Sequence, residues 1–562
     1  MAGGLLNIVA LGNNNLFLTG NPSKTFFKVT YCKYSNFGLQ KFRLDYTGLR
    51  ELRLTEDSTF TFKVPRYAEL LMDTYIVVTI PDIWSPIHHP VRGGINGTDF
   101  RWAPYDFKWI EHLGTNMVKE IIISCGSQTL QRYTGEYLQL MVERDFTAEK
   151  KKLFDQMTGH VAELNNPANA YTRANSYPNA MYANGTVGAE PSIRGRNIYI
   201  PINTFFTLNN GCAFPLIALQ YNELSITVTM RPIRELFTVR DVFDNEFNRP
   251  YVQPDFNETR FQMYRFLQTP PNRPEPLFDD NDNLIGFNPV VYENQVSTWN
   301  ADIHLMSTYC FLSKEEAHIF AAEDHVYLVK DVFQHKYENI TGSKRIKLES
   351  NGMISSWMWY LQRNDVNMRN EWSNYSNWPY KNIPVDVSVY RNDRDLRGDY
   401  PNVDPNDTRT TGIYITGNFI VENHKHILES MGIVLDGEYR ENVLTRGIYD
   451  YIEKYTRTKG CAKEGIYCYN FCLNTSPYEY QPSGAINLSK FKNIELELST
   501  YVPPIDPVNS SFDIICDVSG NPIGVRKSNW KLYEYNYNMT LYEERYNILS
   551  FVSGNCGMMY AR

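Results

Sequence analysis

The sequence has no apolar run that could cross a membrane. Its longer ones, such as Tyr75–Ile80 and Ala213–Leu219, fall far short of the roughly 18 residues a span needs. Met1–Leu6 lacks the positive flank of a secretory signal, and Ala2 stands where myristoylation needs glycine. The expectation is synthesis in a reducing cytosol. Cysteine usage agrees. Nine cysteines lie scattered over 562 residues, an odd number without short spacing (Cys32, Cys125, Cys212, Cys310, Cys461, Cys468, Cys472, Cys516, Cys556). That is no disulfide framework. Charge is also sparse: charged residues are 21%, with 55 basic against 63 acidic, a net of −8. A dedicated nucleic-acid binder would carry a basic face instead, so no direct nucleic-acid contact is expected.

Motifs for catalysis are equally scarce. There is no phosphate loop, no nucleophile elbow and no His-Glu-x-x-His. Paired carboxylates for glycoside hydrolysis have no signal in their favour. The sharpest metal candidate is His424, His426 and Glu429. Two histidines at i and i+2 of a strand share a face roughly 6.7 Å apart and could hold one ion. The competing reading is a solvated patch near a strand end, and no further histidine follows where a ligand would be needed. Asp279–Asn283 starts like a calcium loop, but Leu284 and Val290 stand where an EF-hand needs glycine and glutamate. Cys468 and Cys472 would share a strand face about 13 Å apart, too far for a disulfide or a common ion. Lys150–Lys152 follows Glu149 within a helical stretch and reads as a solvated face. Ten Asn-x-Ser/Thr sequons occur among 53 asparagines (Asn96, Asn184, Asn257, Asn339, Asn374, Asn406, Asn474, Asn487, Asn509, Asn538). Without a secretory signal they are not expected to carry glycans. No catalytic residue and no cofactor are expected.

Aromatics are abundant: 40 Tyr, 30 Phe and 9 Trp make up 14% of the chain. That excludes disorder, which is poor in aromatics. Period-2 alternation dominates. Phe60, Phe62 and Val64 alternate with polar neighbours, as do Leu224, Ile226, Val228 and Met230. Trp357, Trp359 and Leu361 form a third set, and Ile494, Leu496 and Leu498 a fourth. Such strands bury one face against a second sheet and wet the other. Helix is thin. Tyr137–Met157 reads as one amphipathic helix. Ser313, followed three residues on by Glu316, is a capping box opening a second that runs to Ala322. Few helices among many strands imply an all-β sandwich or jelly roll. Residues 164–194, 241–300 and 365–407 are long polar stretches of the sort that are functional when they interrupt compact domains. A domain boundary is expected near 235–250. Residues 216–230 and 484–498 echo one another, a small-residue run followed by an alternating strand, as two copies of one architecture would.

Thr19–Val29 resembles the N-terminal signature of the major capsid proteins of nucleocytoplasmic large DNA viruses. Four further matches follow in order. Gly126–Tyr137 resembles that family's hairpin before a helix, and Phe214–Glu223 the segment closing its first jelly roll. Gln481–Ser489 resembles the late motif of the second roll, and Tyr546–Asn555 the C-terminal strand. The resemblance implies two tandem eight-stranded jelly rolls with long loops and few short helices. It implies an arm at 1–25, a first roll at 26–240 and a second at 241–562. It further implies a homotrimer of pseudo-hexagonal outline, placed beside neighbouring capsomers, minor capsid proteins and penton proteins above an inner membrane. The outer icosahedral shell of a virion would be its location. Leu5, Leu6, Ile8, Val9, Leu11, Leu16, Phe17 and Leu18 are too apolar for a free tail and are expected to dock on a neighbouring subunit or inner-shell protein. A carbohydrate-binding or fibre jelly roll, and a cupin-like metalloprotein built on His424 and His426, are the alternatives.

Overall fold

The computed structural model describes residues 3–93, 99–167, 170, 190–241, 251–271, 276–280, 284–287, 291–378, 424–503, 512–516, 522–527 and 535–560. The N-terminal segment comes first, with a short helix α1 (Gly3–Val9) and a single turn at Leu16–Thr19. Every described residue from 3 to 41 is exposed.

Eight strands follow: β1 (Phe37–Asp45), β2 (Ser58–Lys63), β3 (Leu70–Ile80), β4 (Val118–Cys125), β5 (Gln128–Tyr133), β6 (Arg196–Pro201), β7 (Leu224–Met230) and β8 (His304–Leu312). They pair antiparallel into two sheets of order β1-β8-β3-β6 and β2-β7-β4-β5. Eight more repeat the plan: β9 (His325–Tyr337), β10 (Ser343–Lys347), β11 (Met353–Arg363), β12 (Leu428–Leu435), β13 (Glu438–Thr445), β14 (Ile466–Asn470), β15 (Ile494–Thr500) and β16 (Tyr537–Val552). Their sheets run β9-β16-β11-β14 and β10-β15-β12-β13. The eight roll strands of the two halves therefore match one for one. Each is an eight-stranded jelly roll, and a last strand β17 (Asn555–Met558) adds a hairpin to β16.

The internal echo has a structural counterpart. Phe214–Pro215 pairs with β3, and Ile486–Asn487 pairs with β11. Each leads into a 3-10 turn, Leu216–Ala218 or Leu488–Lys490. Each turn then enters a seven-residue strand, and β7 and β15 share one alternation of buried and half-buried residues.

Two expectations need correction. The division at 240/241 assigned β8 to the second roll, yet β8 pairs with β1 and β3 over nearly its whole length. The long polar stretch before it is a connection inside the first roll, from β7 to β8, and not a linker. The change of roll falls after Leu312, across the helix Lys314–Ala322. That helix has the Ser313 half of the expected capping box, with Ser313 Oγ accepting from the Glu316 amide at 3.4 Å. The single helix expected at 137–157 is two: α2 (Gly135–Asp145) and α3 (Ala148–Met157). Phe146 and Thr147 between them are extended, with ψ of 141° and 157°. The break turns Phe146 into the core, where it is 3% exposed.

Strand β11 shows how the rolls join. Trp357, Trp359 and Leu361 fill the interior of the second roll, as the alternation required. Met358 and Tyr360, on the face expected to be wet, are buried in one apolar cluster with the first roll. Tyr542, Leu549 and Phe551 of β16 join that cluster. Each such buried side chain contributes about 1.5–3 kcal/mol. The second roll thus lays one sheet's outer face on the first.

Candidate assembly surfaces

The seam between the rolls carries buried charge within its apolar contacts. Helix α2 starts where β5 ends, with Thr134 Oγ1 accepting from the Tyr137 amide at 3.3 Å, and Gly135 approaches so closely that a Cβ there would lie 1.9 Å from the Thr115 carbonyl oxygen. Its final turn delivers Arg144 and Asp145 to the seam. Arg144 Nη2 donates to Asp145 Oδ2 at 2.7 Å and to Glu544 Oε1 of β16 at 2.8 Å. Nη1 donates to Ser356 Oγ of β11 at 3.1 Å. Glu544 also accepts from Tyr137 Oη at 2.9 Å and Ser356 Oγ at 2.8 Å. Asp145 accepts from Thr475 Oγ1 at 2.5 Å. Gly460 closes the edge by donating its amide to the Arg144 carbonyl at 2.8 Å.

Burial pushes the Glu544 carboxyl up, but Arg144, Lys330 and the two hydroxyl donors overcome it and hold it at about 2. The pair is ionised at every physiological pH. A second buried ionic centre lies in the second roll. Asp365 accepts from Arg369 and Arg363, and both arginines hold its carboxyl below the usual range despite burial. It anchors residues 365–378, whose Trp372 indole and Asn370 amide donate to first-roll carbonyls of Glu235, Arg234 and Phe237.

The outward surfaces are apolar in places. Beyond the N-terminal segment, the edge strand β1 presents Phe37 and Leu39. The helical stretch 448–457 presents Tyr451, Ile452 and Tyr455. An uncovered sheet edge of this kind is a pairing template unless assembly covers it.

The residues singled out by motif and spacing are placed as follows. The His424, His426 and Glu429 arrangement does not converge. His424 stacks on Tyr501 at 4.7 Å, with its ring at 86° to that of His426. The Arg446 guanidinium sits 2.6 Å from His426 Nδ1. Burial and that cation both lower the His426 pKa, and a neighbouring cation opposes a metal ion. Glu429 accepts instead from Ser499. Leu5, Leu6, Ile8, Val9, Leu16 and Phe17 are exposed together on the N-terminal segment. Asn257 and Asn339 are exposed, whereas Asn374 is buried and bonded to Ser376 and Trp378, leaving no room for a glycan. Asn96, Asn184 and Asn406 lie outside the described residues. So do residues 281–283 of the Asp279–Asn283 segment and the side chain of Cys516. Lys151 pairs with Glu143 and Lys150 lies 3.9 Å over the Tyr478 ring, whereas Lys152 is exposed, as expected of a solvated face. Arg144, Glu544 and Asp365 were not anticipated. Arg144 and Glu544 have a sequence signal in charge beside apolar residues, Glu143–Asp145 after Leu140–Val142 and Glu543–Arg545 in the middle of β16, whereas Asp365 stands in a polar stretch and has none.

The fold has solved counterparts. It superposes on the PBCV-1 capsid protein in that virus's quasi-atomic capsid model with a TM-score of 0.57 at 17% identity, covering 96% of this chain and 100% of that one. The Faustovirus major capsid protein gives 0.57 at 11% identity, covering 97% and 96%. Two jelly rolls fused side by side through a buried polar seam make this a double jelly-roll protein of the capsid type. Sequence comparison agrees. A family model described as the major capsid protein N-terminus matches residues 25–258, and one described as the large eukaryotic DNA virus major capsid protein matches residues 316–557. The major capsid protein of Phaeocystis pouchetii virus is 22% identical over all of both chains. That of Paramecium bursaria Chlorella virus 1 is also 22% identical over all of both. Capsid protein 1 of Acanthamoeba polyphaga mimivirus is 30% identical over 43% of this chain and 37% of its own. The chain belongs to the major capsid proteins of large eukaryotic DNA viruses.

Proposed function

We propose that this major capsid protein builds the icosahedral outer shell of its virion as a homotrimer of pseudo-hexagonal outline. The observation that carries the reading is the strand-for-strand equivalence of the two rolls. Two like wedges in one chain cover about a third of a hexagon, and three chains related by closed threefold symmetry present six similar walls. The seam supports rigid use of both wedges as one body. The exposed apolar residues of β1 suit large obligate contacts, which are more apolar than transient ones.

In this reading the partners are further copies of the same chain, neighbouring capsomers and minor capsid proteins. A different penton protein fills the five-fold vertices, which a pseudo-sixfold block does not fit. The N-terminal segment acts outside its own rolls, and a membrane lies beneath the shell. The chain is made in the host cytoplasm and has a structural rather than an enzymatic role. Sedimentation of the purified protein tests the trimer. Three chains of 65.4 kDa give about 196 kDa, and the reading expects that species to persist on dilution. A monomer would overturn it.

A further inference from the structure

We propose that the N-terminal segment is a membrane-surface anchor that binds anionic lipid headgroups. The proposal rests on the capsomer reading for the chain's place in a shell and adds the partner of its arm.

Charge is the first observation. Residues 1–36, before the first strand, contain Lys24, Lys28 and Lys33 and no acidic residue. Taking that +3 from the chain's −8 leaves −11 on the remainder. The body is acidic and the arm is not. An anionic membrane surface attracts such a basic segment and repels the body behind it.

Apolar exposure is the second. Leu5, Leu6, Ile8 and Val9 of α1 are exposed, and Phe17, Phe26, Phe27, Tyr31 and Tyr34 are each 84–98% exposed. Phe26, Phe27, Tyr31 and Tyr34 interleave with Lys24, Lys28 and Lys33. The Lys24 ammonium lies 5.2 Å from the Phe26 ring centre. Aromatic rings beside ammonium groups match the headgroup layer, where the ring sits at the interface and the cation meets phosphate. The aliphatic residues would enter the acyl boundary. A nucleic-acid backbone has the phosphates but nothing to receive Leu5, Leu6, Ile8 and Val9.

Freedom to reach is the third. Among the described residues, the hydrogen bonds of the segment stay local, such as Ala10 to Leu6 and Gly12 to Asn15. The first pairing with the body begins at Phe37. About 35 residues can extend roughly 110 Å, so the arm can leave the shell wall and meet a surface beneath it.

The test is flotation of the full-length protein with phosphatidylcholine vesicles, with and without about 30% phosphatidylserine, in low salt and in about 0.5 M salt. The expected result is at least tenfold more flotation with phosphatidylserine, abolished by salt. K24Q/K28Q/K33Q is expected to weaken partition by about fivefold per lysine, on the order of a hundredfold in all. F26S/F27S is expected to weaken it also, while both variants sediment as the parent does. Equal flotation on both vesicle types, or an undiminished triple variant, would overturn the anchor. So would tighter binding to duplex DNA than to vesicles, or lysine-dependent association with a second trimer in place of flotation. A trimer that does not float defeats the anchor alone, whereas a monomer defeats the capsomer reading whatever the vesicles show.

Discussion

Arg144 of the first roll and Glu544 of the second are joined by a 2.8 Å ion pair, with side chains 1% and 2% exposed. The two residues are 400 positions apart in sequence, yet they carry the charge that links one wedge to the other. Removing one partner of such a pair leaves the other charge buried, a loss of about 3–5 kcal/mol. Glu544→Ala is therefore expected to lower stability by about that amount in denaturant unfolding. Replacing both residues with apolar ones of similar volume is expected to recover most of it.

The same pair predicts acid sensitivity. The folded-state pKa of Glu544, about 2, lies below its usual value. Its contribution is therefore complete above the unfolded value of about 4.3 and is lost as pH falls from there toward 2. Unfolding midpoints measured from pH 6 down to pH 2 are expected to fall, with a shallower slope in Glu544→Gln. Parallel slopes would mean that the carboxylate does not carry the effect.

Gly460 tests the closeness of the seam. A Cβ there would lie 2.5 Å from the Arg144 carbonyl carbon and oxygen. Gly460→Ala must push the second roll's loop off the first, and overpacking of this kind costs about 1–3 kcal/mol. The expected readout is a lowered midpoint in thermal unfolding, with protease cutting near residue 460.

The arm is separable from the fold. Because residues 3–36 are exposed throughout, deleting residues 1–36 is expected to leave a folded trimer with an unchanged circular dichroism spectrum and impaired array assembly. A truncated chain that fails to fold would place the segment in the core.

The eight cysteines with described side chains are free thiols, and Cys468 is fully enclosed, its pKa pushed up to about 12 by burial. Thiol titration under denaturing, non-reducing conditions is expected to find close to nine per chain. Five or fewer would contradict synthesis in a reducing compartment.

Much of the sandwich was legible because alternation is local. Phe60 and Phe62, Leu224–Met230 and Ile494–Leu498 each report one buried face whatever they pair with. The duplication was legible for the same reason, since the turn and strand at 216–230 and 484–498 repeat a local pattern. What depends on distant partners was not. Met358 and Tyr360 look like a wet face until the first roll is laid on them. Strand β8 looks like part of the second half until its register with β1 is known. The break at Phe146 is a tertiary choice, in which a core position for one ring outweighs a continuous helix. The seam was not legible because charge beside apolar residues, at Arg144 and at Glu544, does not say which distant residue it pairs with, and only their juxtaposition identifies it.

The central claim is that one chain supplies two equivalent wedges to a threefold block. Class averages of the purified protein by electron cryomicroscopy, viewed down the symmetry axis, test it most directly. The account predicts a threefold particle with a near-hexagonal rim of six similar lobes, two from each chain. A particle with two or three lobes, or one without threefold symmetry, would contradict it.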